Sequence, residues 1–155
     1  MITDSAPWPL AKSNALLAIA VGGLIAGFVD LLMACIQEGW DIPLYIAAGL
    51  LGRQAIHGGL ATYILGVLLH FFIAFSAAAV YYAASRRLPF MTEFPLVCGL
   101  CFGAAVELVM NLIVLPLSAL HATGPFSLHY LIVGLLSHMV VVGLPISFSV
   151  RWFAK

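Results

Sequence analysis

Four stretches of the chain, residues 14–36, 60–84, 95–118 and 128–150, stay apolar long enough to cross a bilayer, because about 20 helical residues span the hydrocarbon layer. Backbone N–H and C=O groups in hydrocarbon must find their partners within the protein, and isolated runs of this length do so as helices. The pattern predicts an all-α integral membrane protein: a four-helix transmembrane bundle forming one domain over residues 1–155. Composition points the same way, with 64% hydrophobic and 8% charged residues and a mean hydropathy of +1.15, too little polar surface to coat a water-soluble globule. The formal net charge is zero and the cations are scattered, which leaves no basic footprint for nucleic acid. The expected surroundings are lipid.

Punctuation along the chain agrees with this division. Only Lys12 supplies a cation ahead of the first run, which is too long for a signal-peptide core and contains Asp30, so it is expected to persist as a span. Arg86, Arg87 and Pro89 end the second run, Pro95 opens the third, and Gly124-Pro125-Phe126-Ser127 marks a turn before the fourth. Lys12, Arg86, Arg87, Arg151 and Lys155 fall on one side of this topology and Arg53 alone on the other, so the positive-inside rule places both termini in the cytoplasm. Trp152 and Tyr82 near that side, and Trp40 and Tyr130 near the other, suit aromatic belts at the two interfaces.

The connection between the first two runs is longer than a turn needs. Asp41 before an early Pro43 reads as a helix start and Gly58-Gly59 as a stop, so a short extracytoplasmic helix over about 42–57 is expected, interfacial or re-entrant. It serves either as a lid over the bundle or as a gate carrying Arg53 and His57 one helical turn apart.

Within the four runs lie five groups that hydrocarbon does not welcome: Asp30, His70, Glu107, Asn111 and His138. A charged residue at mid-membrane costs roughly 2.5 to 3.5 kcal/mol on insertion scales, so such residues persist with partners or a task. Each sits on a stripe of small residues at helical spacing: Gly99, Gly103, Glu107 and Asn111; Gly66, His70, Ala74 and Ala78; Gly23, Gly27, Asp30 and Ala34; Gly134 and His138. Small residues mark the faces on which membrane helices approach closely, so all five groups are expected to point into the bundle. Counting rise per residue puts His70, Glu107 and His138 roughly 15 Å below the outer boundary and Asp30 and Asn111 about 10 Å below it, in two adjacent layers.

Three chemistries use such a set. Desolvation disfavours the charged forms of acids and imidazoles alike, the condition under which buried groups exchange protons near neutrality, so proton or small-cation handling is the first. Ligation of haem or a transition metal by His70 and His138, with Glu107 as a third ligand, is the second, in the manner of an electron-transfer subunit. Interhelical hydrogen bonding alone, as in a non-catalytic subunit of a membrane complex, is the third. Buried charge on four spans favours the first. No catalytic set stands out. Cys98 and Cys101 have thiol-redox spacing, as in four-helix membrane oxidoreductases of the vitamin K epoxide reductase and DsbB kind, but lie near the cytoplasmic end without a second pair, so they read as packing residues. Pro116 and Pro145 each remove a helical hydrogen bond and can bend their helices. Glycine and alanine faces left over leave room for a homodimer or a larger complex.

Leu24-Ile25-Ala26-Gly27, His70 followed by Tyr81 or Tyr82 and then Pro89, Pro116-Leu117 with Leu120, and His138 together resemble the YagU family of bacterial inner-membrane proteins. The likeness covers most of the chain at scattered positions. It implies a bacterial plasma-membrane location and an association with acid tolerance, and it brings no biochemical activity with it. His70 and His138 match the family pattern, whereas Asp30 and Asn111 stand where a hydroxyl residue and a histidine are expected.

Overall fold

A computed structural model describes residues 14–122 and 127–153. Its helices are α1 (Ala15–Glu38), α2 (Ile42–Leu51), α3 (Leu60–Ser85), the single turn α4 (Phe90–Glu93), α5 (Pro95–Leu117) and α6 (Leu128–Phe153). Four of them, α1, α3, α5 and α6, are long and apolar enough to cross a membrane, within three residues of the boundaries expected at every end. The chain is therefore an all-α four-helix bundle of the multi-pass membrane type. Lys12, Lys155 and the turn residues Gly124, Pro125 and Phe126 lie outside the described residues. Ser127 is described, and it caps α6 by accepting a hydrogen bond from the Tyr130 N–H at 3.1 Å.

Each span packs where its small residues are. α1 lies against α3 and the C-terminal half of α6, and α5 runs along α6 over most of its length. Leu24, Phe28, Leu68, Phe72, Leu112 and Leu136 face outward instead. Lipid tails are as apolar as leucine, so close backbone packing, rather than removal of apolar area from water, must hold the helices together. The main core lies toward the end that carries Arg86, Arg87 and Arg151, where Ala18, Ala78, Tyr81, Ile146 and Val150 are fully buried. Tyr81 meets Phe102 of α5 edge to face at 5.0 Å and donates to the Met91 carbonyl at 3.1 Å. That half of the bundle is closed.

The opposite end is looser. Here α2 folds back along α3, with the Pro43 carbonyl seated on Gly66, and a second small cluster forms from Ala47, Ala48 and Ala55 with Ile56 and Leu120. The short helix expected over 42–57 is broken: Gly52 adopts φ +87°, and Arg53–His57 winds as a 3-10 helix. A left-handed residue ends an α-helix, and glycine takes that conformation without a steric cost. With three residues per turn, positions 53 and 57 do not stack as α-helical neighbours do. Asp41 stands at the N-cap of α2, as expected, yet its side chain makes no capping bond.

α5 and α6 carry the same irregularity. Met110–Val114 and Met139–Gly143 are π-helical, and each is followed at once by Leu-Pro, at Pro116 and Pro145. A proline ring clashes with the carbonyl four residues earlier and offers that carbonyl no N–H. Widening the preceding turn relieves the clash, so each proline appears as a local bulge in a continuing helix.

Candidate functional site

Glycines on α5 and α6 bring the two helices into backbone contact. Gly103 lies against the His138 carbonyl and Met139 Cα, and Gly143 against the Gly99 carbonyl and the Gly103 nitrogen. One turn beyond Gly103, Glu107 enters the space left by Gly134, with only 7% of its side chain exposed, and its Oε2 comes within 3.1 Å of His138 Nδ1. On the other flank α1 and α3 interlock at Gly27, whose carbonyl lies 2.9 Å from His70 Nε2.

Asp30 of α1 joins the two flanks. Its Oδ2 is 3.8 Å from His70 Nε2 and its Oδ1 is 3.8 Å from His138 Nε2. The four groups thus alternate His70, Asp30, His138, Glu107, with one from each span. Both nitrogens of His138 face carboxylates, and Nδ1 also lies 3.0 Å from the Gly134 carbonyl. The contacts at Asp30 are too long for direct hydrogen bonds and short enough for ion pairing or a bridging water. Space for water is present: a cavity of about 90 Å³ is lined by Asp30, His70 and His138, larger than one water needs.

A second cavity, of about 140 Å³, touches Asp30, Glu107 and His138 and leads between α1 and α6 toward Gln37, Glu38 and Tyr130. Gln37 donates to Ser137 Oγ across it at 3.5 Å. The array therefore opens toward the α2 end and is closed toward the arginine end by the Tyr81 core.

Uniform rise separates Asp30 from the histidines by a layer, whereas Asp30 sits within ion-pair reach of both. Asn111 is buried but spends its amide on its own helix, donating to the Glu107 carbonyl at 3.0 Å, and its Oδ1 is buried without a donor among the described residues. It stays outside the alternating set, and its expected part in orienting a partner of the array does not follow from these contacts.

The metal set of His70, His138 and Glu107 is not assembled. Among the described residues, no three His, Cys, Asp or Glu side chains come together in a way that could hold a metal ion. His70 instead contacts the Gly27 carbonyl and Asp30. Nor does the 90 Å³ space beside the histidines suit a haem between them, since sites for molecules of that size have several hundred Å³. Arg53 and His57 are exposed on the 3-10 segment and line none of these cavities. Cys98 packs at the edge of the core with its thiol 3.8 Å from the Phe90 carbonyl, while Cys101 is exposed, and both are free.

Gln37, Glu38 and Ser137 join the site beyond the five residues that the sequence points to. A signal was there for two of them, since Gln37 and Glu38 follow Asp30 by seven and eight positions and so share its face of α1.

Gly134→Ala tests the geometry directly. The added Cβ would meet the Glu107 carboxyl, the free end of a flexible side chain, which can turn aside for about 1 kcal/mol. Unfolding of the purified protein should change by no more than that, while the imidazole ¹⁵N resonances of His138 shift and those of exposed His57 do not. Unchanged His138 resonances would show that Glu107 does not engage it.

Fold and site together define a polytopic membrane protein with a largely enclosed imidazole and carboxylate array reached from one end. No family model, curated protein or solved structure matches the chain, so its chemistry is read from its own residues.

Proposed function

We propose that the protein handles protons or a small cation within the bilayer, with His70, Asp30, His138 and Glu107 as the exchanging groups. One observation carries the reading: an imidazole with a carboxylate at each of its nitrogens, continued through Asp30 to a second imidazole. Neutral imidazole accepts a proton at one nitrogen and holds one at the other, and a carboxylate receives a proton on either oxygen. Alternating them gives every proton a neighbouring acceptor. Four groups whose only task was to lock helices would have no need of an opening, yet a passage to the α2 end supplies one.

The α2 end is assigned to the extracytoplasmic side, because Lys12, Arg86, Arg87, Arg151 and Lys155 belong to the other. Access from outside with the inner half shut is one of the two arrangements an alternating-access carrier adopts. The likeness to the YagU family supports a bacterial plasma membrane, and self-association through remaining glycine and alanine faces, or a place in a larger complex, belongs to the same proposal.

The test is proton flux into proteoliposomes under an imposed pH gradient, read with an internal pH-sensitive dye. Wild-type protein should conduct well above protein-free vesicles, and Glu107→Gln should lower the rate at least about 10-fold, the lower range for loss of a positioned proton-transfer group being about 100-fold. A Glu107→Gln rate equal to wild type would remove Glu107 from the pathway.

A further inference from the structure

A larger cavity lies beside the array. It has a volume of about 680 Å³ between α2, α3 and α5 at the α2 end, a size suited to a small organic molecule. Its walls are mainly aliphatic, including Ile46, Leu50, Leu69, Ile73 and Val114. The polar side chains among them are Glu38, Tyr45, Ser118 and Tyr130, and among the described residues no Lys, Arg or His lines it. A carboxylate and two tyrosine rings on an apolar wall are the chemistry that recognises a cation with a bulky hydrophobic body: the acid supplies charge, the rings supply quadrupoles, and the walls take the apolar groups. An anion of the same shape would meet Glu38 with no compensating positive side chain.

The cavity also shares walls with the two spaces at the array. Ile46, Ile73 and Met110 separate it from the space at Asp30, His70 and His138, lining both. Glu38, Ile42 and Tyr130 are shared with the passage that reaches Glu107. We infer that this cavity binds a hydrophobic organic cation, a lipophilic amine or quaternary onium ion, and that its arrival displaces a proton from the array. The second clause rests on the proton-handling reading; the first does not. The titratable groups that face the exchange are Asp30 from α1, His70 from α3, Glu107 from α5 and His138 from α6, with Glu38, Tyr45 and Tyr130 at the cavity wall, and α2 brings no Asp, Glu, Lys, Arg or His side chain to it. Charge balances: one cation enters, and one proton leaves the array by the passage toward Gln37.

Calorimetric titration of the full chain in a non-ionic detergent tests both clauses, using tetraphenylphosphonium and its shape-matched anion tetraphenylborate in two buffers of different ionisation enthalpy. The expected result is saturable binding of the cation alone, with a heat that depends on the buffer because a proton is released. Gly49→Leu should weaken cation binding at least 10-fold by filling the cavity. A Cβ at Gly49 meets only Ser118 Cβ, at 3.8 Å, so the backbone accommodates it. Should that variant not fold, Glu38→Gln should still weaken the cation by several-fold. Equal binding of the borate, or cation binding indifferent to both substitutions, would overturn the cavity assignment even if wild-type proton flux persists. Selective binding that Gly49→Leu abolishes but that releases no proton would uphold the cavity and overturn its coupling to the array.

Discussion

Asp30→Asn should reduce proton flux about 100-fold, the lower range for removing a positioned proton-transfer group. Asparagine keeps the size and shape of the side chain, so the packing of α1 against α3 and α6 has no cause to change. What it lacks is an oxygen that takes up and gives back a proton. Asp30 is the only member of the array within ion-pair reach of both histidines, at 3.8 Å from each. Its replacement leaves His70 isolated on one side and His138 with Glu107 on the other. The measurement is the dye-reported flux, accompanied by thermal unfolding in detergent. A variant that unfolds earlier yet conducts like wild type would assign Asp30 to helix locking instead.

Gly103→Ala should lower stability by about 2 to 3 kcal/mol, the upper part of the range of about 1 to 3 kcal/mol for inserting a group into a packed interior, or roughly 4 to 12 °C in the unfolding midpoint of a protein of this size. An alanine ordinarily improves a helix by about 0.5 to 1 kcal/mol over glycine, so the sign of the effect is diagnostic. At position 103 the new Cβ would overlap the His138 carbonyl and Met139 Cα, both backbone, which cannot turn aside. α5 and α6 must then separate, and Glu107 leaves His138 with them. Gly49→Ala is the control: the only neighbour within reach of its Cβ is Ser118 at 3.8 Å, so a neutral or stabilising effect is expected there. If the two substitutions behave alike, the close approach of α5 and α6 is not what holds the site.

Much of this site was legible before any tertiary contact was known. The stripe of Gly99, Gly103, Glu107 and Asn111 follows from four-residue spacing, and all four are buried. The stripe on α3 behaves likewise, with Gly66, Ala74 and Ala78 buried around His70. Partner choice was not legible. Depth along a helix ranked Asp30 with Asn111, whereas the distances join Asp30 to the histidines and leave Asn111 bonded to its own helix. Pro116 and Pro145 announced irregular turns, but nothing local said whether the helices would kink or widen. Gly52, a single glycine between Leu51 and Arg53, gave no warning that it would split the short helix and turn Arg53 and His57 away from each other's face.

Length and apolarity of the runs determined the four spans, since hydrocarbon admits few other solutions for a backbone, and the spacing of glycines determined which face of each span turns inward. Those are properties of one helix at a time. The order His70, Asp30, His138, Glu107 and the cavities that open onto it arise from distances between helices. Such distances depend on how closely glycine lets two backbones meet and on how far each helix slides along its neighbour, and only the assembled bundle decides them.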